Sequence, residues 1–280
     1  MPGSSEKMLA KAPGLAADEL VIDLEDAVAA GVKDAARASV VAALRGPEWA
    51  GVTVSVRVNA PRTPWCHLDI AALAAPAPQP VAIVVPKVES AGDLAFVDRL
   101  LDGAEAGREQ PLRVQALIET AAGLARVQEI AAASERLDAL ILGYADLAAS
   151  LGRTEAGARE LDGWRSAQEL VLLAARAHGL QAIDGPYLGI AVDDGFTAAV
   201  ARARDLGFDG KWAIHPAQLA ALNAAFTPTE AEVRDARAVV AALAEAEQTG
   251  AGAVALDGQM LDEAVRAAAL RTLARAGEAA

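Results

Sequence analysis

Two acids in this chain close an apolar run and lead straight into helix-forming residues: Glu119 in QALIETAAG and Asp146 in LILGYADLAAS. A carboxylate in that place has two uses. It can serve the positive N-terminus of the following helix, or it can hold a ligand. As a pair on neighbouring strands ending at similar height, the two suit a hard divalent cation. Mg²⁺ takes oxygen ligands at about 2.1 Å and is held by one or two carboxylates, with waters and substrate oxygens completing its shell. Zinc would want a Cys/His cluster, and the three histidines, His67, His178 and His215, are scattered. Arg57, in VTVSVRVN, is a guanidinium able to grip a carboxylate in bidentate fashion. A metal beside an arginine suits a 2-oxo or 2-hydroxy acid, whose carboxylate and neighbouring oxygen chelate together.

Short β-branched runs must position these groups. They lie at 20–25 (LVIDLE), 52–59 (VTVSVRVN), 82–89 (AIVVPKVE), 114–120 (VQALIET), 139–146 (ALILGYAD), 181–187 (QAIDGPY) and 211–216 (KWAIHP), with Ala/Leu/Arg-rich helical stretches between them. That alternation predicts parallel β/α units. Seven units approach the eight of a TIM (β/α)8-type barrel of about 250 residues, and no Gly-x-Gly-x-x-Gly turn follows the first strand to favour an open doubly wound sheet. The barrel is the expected fold, with its first strand truncated. Period-two reading puts Val52, Val54, Val56 and Val58 on one face of their run and Thr53, Ser55, Arg57 and Asn59 on the other. By the same parity Ile22 and Leu24 oppose Asp23 and Glu25, and Lys87 and Glu89 follow Val85. The polar set should face into the barrel at the strands' C-terminal ends, where such barrels carry their active sites. Glu25, Arg57, Lys87, Glu119, Asp146 and His215 then converge on one mouth. Singly, each reads as a loop or cap residue; six from six strands read as a site.

The formal charge of −13 over 280 residues argues against nucleic acid or an anionic membrane as partner, since phosphate backbones want clustered Lys and Arg. No run of about 20 apolar residues suggests a membrane span. The single cysteine, Cys66, permits no intrachain disulfide and fits a reducing cytoplasm; with only the adjacent His67 it makes a poor nucleophile. After a barrel over residues 1–226, Thr227-Pro228-Thr229-Glu230 reads as a capping-box start for a connecting helix over 227–248. The Gly-rich stretch at 249–253 then breaks the chain, and an amphipathic helix from about Glu263 ends it. Residues 249–280 are expected to form a lid or arm that reaches a neighbouring subunit.

The motifs VIDLEDAV, VSVRVNAP, VVPKVES, ALIETAAGL, GYADLAASLG, AIDGPYLGI and LGFDGKWAIHPAQL, in that order, resemble the HpcH/HpaI-type aldolase superfamily. The similarity is strongest to its citrate lyase β-subunit-like branch, which includes malyl-CoA and citramalyl-CoA lyases. The resemblance implies Mg²⁺ ligands at Glu119 and Asp146, an oxo-acid arginine at Arg57, and acids near the metal at Glu25 and Asp26. It also implies a lid aspartate at Asp262, acting as general acid or base in an adjacent subunit, and a homo-oligomer, often a trimer. The reaction it implies is reversible cleavage of a carboxylated 3-hydroxyacyl-coenzyme A to a 2-oxo acid and an acyl-CoA. Coenzyme A is then part of the substrate; Lys7 and Lys11 are candidates for its phosphates, although two lysines four apart on a helix also describe a solvated face. Where the family begins with a strand ahead of its S-x-x-x-x-x-K-A motif, this sequence starts at Met1-Pro2-Gly3-Ser4, which suggests a gene model begun too late. Tyr144 and Ala145 in GYADL, and Trp212 in GKWAIHP, favour a stand-alone acyl-CoA lyase over a citrate lyase β-type subunit working on a carrier-bound thioester. A Schiff-base aldolase using Lys87 or Lys211 is the other rival; an ion pair between Lys87 and Glu89 weighs against it.

Overall fold

The computed structural model describes residues 1–280 except 76–81, 106–107, 109, 249, 251, 257 and 279–280. Contacts divide the chain into a unit from Met1 to Leu222 and a unit from Asn223 to Ala280.

The first unit is built on a parallel sheet of seven strands in sequential order: β1 Leu20–Asp23, β2 Val54–Arg57, β3 Ala82–Val85, β4 Arg113–Ile118, β5 Leu137–Leu142, β6 Gln181–Asp184 and β7 Gly210–Lys211. All seven apolar runs form strands, as β-branched residues on a buried pleated surface should. The strands are shorter than the runs: Arg57 ends β2, and the other chemical residues fall beyond their strands. The helices are α1 Glu6–Lys11, α2 Lys33–Ala43, α3 Cys66–Ala74, α4 Ala91–Ala104, α5 Ala121–Ala125, α6 Val127–Ala131, α7 Tyr144–Ser150, α8 Glu155–Arg159, α9 Arg165–Ala177, α10 Asp194–Leu206 and α11 Leu219–Phe226. Strand followed by helix, repeated with neighbouring strands parallel, gives an α/β fold whose sheet forms a half-barrel. Met1–Gly3 adds a stub: Pro2 bridges Asp23 in parallel, and the Gly3 N–H donates to the Asp23 carbonyl at 2.7 Å. Among the described residues, β7 pairs with β6 alone.

Register decides which side chains share a face. Asp23 sits opposite Arg57, Arg57 opposite Val84, Val84 opposite Gln115 and Gln115 opposite Ala139. On that face Val84 also packs with Leu117 and Ile141, and with Val21, Ile183 and Trp212. This corrects the parity expected for the third strand. Val84, not Val85, shares the face of Arg57, so straight alternation would send Lys87 to the helix side. The backbone instead breaks alternation at Lys87, whose φ of 52° is left-handed and unusual for a residue with a Cβ.

In the second unit, α12 Glu230–Gln248 packs on α13 Glu263–Arg275 through Ala236, Ala269 and Leu273, with Val233, Val239 and Val240. Between them β8 Val254–Leu256 and β9 Gln259–Leu261 form an antiparallel hairpin that sequence did not suggest. The capping box is placed two residues later than expected. Thr229 Oγ1 accepts from the Glu232 N–H and Glu232 Oε2 accepts from the Thr229 N–H, so Pro228 lies outside the helix. The Gly-rich stretch at 249–253 falls partly outside the described residues.

Candidate active site

Glu119 follows β4 by one residue, and it does not cap the next helix. Thr120 does: its side chain accepts from the Gly123 N–H at the start of α5. Freed of that duty, the Glu119 carboxylate is 2% exposed and accepts at Oε1 from the Lys87 N–H at 2.9 Å. The left-handed turn at Lys87 aims that amide. Across from it, a Cβ on Gly143 would stand 2.5 Å from Glu119 Cβ and 2.7 Å from Oε2, so glycine there keeps room for the carboxylate. Burial, then the negative charges of Asp146 and Glu25, push the Glu119 carboxyl up to about 8.

Asp146 sits in the first turn of α7, not at a strand end as expected, and its side chain is 38% exposed. Lys87 links it to the acids of the first strand's loop. Lys87 Nζ donates to Glu25 Oε1 at 2.5 Å and to Asp26 Oδ2 at 3.2 Å, and stands 3.9 Å from Asp146 Oδ1. The expected Lys87–Glu89 pair does not form; Glu89 faces Arg62 at 3.9 Å, and its carbonyl accepts from Arg126. The acids hold the Lys87 ammonium firmly charged, above its ordinary value despite desolvation. Glu25 is raised by burial, with Lys87 and Arg57 opposing that shift.

Arg57 was expected to offer a bidentate grip to a ligand. That fork is already engaged: Nε donates to Asp23 Oδ1 at 2.8 Å and Nη2 to Asp23 Oδ2 at 2.6 Å. The register that places Asp23 beside Arg57 makes the pairing inevitable. Asp23 also accepts from the Glu25 and Ala27 N–H groups; despite burial, these partners hold its carboxyl below its ordinary value. What remains of Arg57 is Nη1, 3.2 Å from Glu25 Oε2 without hydrogen-bond alignment, and that buried oxygen has no hydrogen-bond partner.

Glu25, Asp26, Arg57, Lys87, Glu119 and Asp146 therefore come together, with Asp23, which parity put on the polar face but not among the site residues. Its parity with Val21 and its place one strand from Arg57 were the available signal. Acids outnumber cations here: Asp23 balances Arg57, and Lys87 alone faces Glu25, Asp26, Glu119 and Asp146. No group of three or more His, Cys, Asp or Glu with metal-ligand geometry occurs among the described residues. Two carboxylates with surplus negative charge and an orphaned buried oxygen still fit a small hard cation that keeps most of its shell for water and substrate.

Other expected residues fall elsewhere. His215 is exposed and caps the turn Pro216–Gln218, its Nδ1 accepting from the Ala217 N–H, so it does not join the cluster. Lys7 and Lys11 are exposed on α1. Asp262, in the second unit, is the N-cap of α13, accepting from the Val265 N–H at 3.1 Å. Cys66 is buried and its thiol is pushed up to about 12, which leaves no thiolate for nucleophilic work. The side chain of Lys211, the other Schiff-base candidate, is buried against Asp184, a residue the sequence reading passed over. No helix among the described residues is long and apolar enough to cross a membrane.

Residues 1–216 match the family model for HpcH/HpaI aldolase/citrate lyase. The chain belongs to this family. Among curated members, the L-malyl-CoA/beta-methylmalyl-CoA lyase of Cereibacter sphaeroides is 40% identical over 279 residues, covering 93% of this chain and 88% of the relative. A (3S)-malyl-CoA thioesterase of the same species is 40% identical over 276 residues, covering 99% and 92%. Among solved family structures, the CitE protein of Mycobacterium tuberculosis, in complex with magnesium, acetoacetate and coenzyme A, has a TM-score of 0.79 at 34% identity, covering 99% of this chain and 96% of that one. The resemblance read from seven motifs is thus a family membership.

Proposed function

We propose that this chain is a magnesium-dependent carbon–carbon lyase. It cleaves a carboxylated 3-hydroxyacyl-CoA, such as malyl-CoA or citramalyl-CoA, reversibly to a 2-oxo acid and an acyl-CoA. The observation that carries this reading is Glu119: a buried carboxyl, released from capping, beside further acids and one residue past a strand. Such a group is costly to ionise without a cation. The lyase at 40% identity and the CitE complex with magnesium, acetoacetate and coenzyme A support the same class.

Glu119 and Asp146 would hold the ion, and Mg²⁺ bound there supplies a Lewis acid that favours loss of the substrate hydroxyl proton and steadies the developing oxo acid. Arg57 offers Nη1 to the oxo-acid carboxylate while Asp23 clamps its other edge, so the guanidinium is already oriented. Glu25 and Asp26, tied by Lys87, stand as acceptors beside the metal position. As the carbon–carbon bond breaks, its electron pair passes to the carbon next to the thioester, and Asp262 of a neighbouring copy delivers the proton there. In condensation the same aspartate removes it. Asp262→Asn should abolish turnover and leave Mg²⁺ and glyoxylate or pyruvate binding intact; full activity would remove Asp262 from the mechanism. The Schiff-base alternative needs a neutral amine, whereas Lys87 is held charged by three acids.

The reading also closes the sheet, with the stub at Met1–Gly3, into an eight-stranded TIM-type barrel. It makes 227–248 a connecting helix and 249–280 a lid over a neighbouring subunit, in a cytoplasmic homotrimer. Lys7 and Lys11 are assigned to coenzyme A phosphates. A panel of 3-hydroxyacyl-CoA thioesters, with and without Mg²⁺ and with product identification, tests the whole. Release of a 2-oxo acid that needs Mg²⁺ is the expected result; turnover indifferent to chelators contradicts it. Release of free coenzyme A with the hydroxy acid intact would place the chain with the thioesterase relative instead.

A further inference from the structure

A buried network outside the acid cluster ends two residues from Asp146. Asp184, at the end of β6, is 0% exposed, and Lys211, at the end of β7, has a side chain 2% exposed. Lys211 Nζ donates to Asp184 Oδ2 at 2.5 Å and to the Gly185 carbonyl at 2.6 Å. The other carboxylate oxygen, Oδ1, accepts from the Tyr144 hydroxyl at 2.5 Å and from Gln168 Nε2 at 3.4 Å, and Gln168 Nε2 also donates to the Tyr144 oxygen at 2.8 Å. The Tyr144 ring packs edge-on against Trp164 with centroids 5.0 Å apart. Gly185 makes way for that ring: a Cβ there would come 2.8 Å from Tyr144 Cδ2.

A buried ion pair of this kind adds little stability over a well-packed apolar pair, so its use lies elsewhere. Tyr144 is the first residue of α7, and Asp146 is in that helix's first turn. The preceding residue, Gly143, is pinned on the opposite side: its N–H donates to the Ile118 carbonyl, and Glu119 fills the space of its missing Cβ. Among the described residues, the Asp146 carboxylate has one ion-pair contact, the long one to Lys87 at 3.9 Å. The helix start, not the Asp146 side chain, is what the surrounding structure fixes.

We propose that Tyr144 is a positioning residue, a strut through which Asp184, Lys211 and Gln168 fix the first turn of α7 and so place Asp146 relative to Glu119 for a divalent cation. The inference rests on the magnesium reading above and adds the residues that set the ion's affinity. Tyr144→Phe removes one hydroxyl and keeps the ring against Trp164. Titration calorimetry of metal-free protein with MgCl₂ alone should show affinity about 10-fold weaker in Tyr144→Phe, the lower end of effects seen for outer partners of metal ligands. The thermal unfolding midpoint without metal should stay near wild type, and turnover should recover when Mg²⁺ is raised to saturate the variant. Gln168→Leu, which leaves the tyrosine–aspartate bond in place, should shift Mg²⁺ affinity less. Unchanged Mg²⁺ affinity in Tyr144→Phe would overturn the strut while leaving the magnesium reading standing. Absence of Mg²⁺ binding in wild type would overturn both.

Discussion

Two lysine–carboxylate constellations lie at or just past the ends of the strands in the same unit, and they are built on opposite principles. At β6 and β7, Lys211 and Asp184 are one cation and one anion, fully buried, with every oxygen of the carboxylate engaged. Around β1 to β5, the Lys87 ammonium faces three acids, two of them substantially exposed, and Glu25 Oε2 is buried without a hydrogen-bond partner. The first constellation is complete without a ligand. The second carries surplus negative charge, a raised carboxyl at Glu119 and a strained backbone at Lys87. What separates them is not residue type but whether the charges and hydrogen bonds close among themselves; the open one is the one proposed to take an ion and a substrate.

That contrast can be broken most sharply at Glu119. Glu119→Gln should bring turnover below detection while the metal-free fold melts no lower than wild type, because a buried acid in a negative neighbourhood has been replaced by a neutral amide. Turnover near wild type would erase the distinction between the two regions. The closed network should fail in the opposite sense. Asp184→Asn leaves the Lys211 ammonium buried without its counter-charge and should cost about 3–5 kcal/mol in denaturant unfolding, whereas Asp184→Leu combined with Lys211→Met should recover most of that loss.

pH sharpens the contrast further. The folded-state value of Glu119, about 8, lies above its ordinary 4.5. Between those values the folded chain holds a proton that the unfolded chain has lost. Metal-free stability therefore falls as pH rises through that window, and Glu119→Gln should flatten the slope. Mg²⁺ must displace the same proton, so its affinity should rise by up to about tenfold per pH unit as pH climbs from about 6 to 8. Calorimetry in buffers of differing ionisation enthalpy should register the released proton. The smallest effect is expected at Cys66, which lies in neither constellation: iodoacetamide should leave the folded protein unlabelled and fully active over the time that labels it in denaturant.

The sequence carried the scaffold because short β-branched runs have few alternatives when buried on both sides of a parallel sheet. It carried Glu119, Asp146, Arg57 and Glu25 because each stands out as a charge against an apolar run. It failed where contacts depend on register or on backbone conformation. Period two cannot show that Lys87 adopts a positive φ, so the partners of Lys87 were misassigned to Glu89. It cannot show that Asp23 consumes the fork of Arg57, since that needs the strand pairing. Asp184 and Lys211 sit 27 positions apart at the ends of adjacent strands, and Tyr144 reaches them from a third element; no local pattern joins them. His215 followed the strand-end rule in sequence, yet a proline at the next position turned the chain into a capped turn.

The central claim is that Glu119 and Asp146 jointly hold one magnesium ion. Titration calorimetry of metal-free wild type, Glu119→Gln and Asp146→Asn with MgCl₂ tests it directly. The account predicts one site per chain in wild type and no measurable binding in either variant at the concentrations that saturate wild type. Equal binding in all three proteins, or none in wild type, would contradict it.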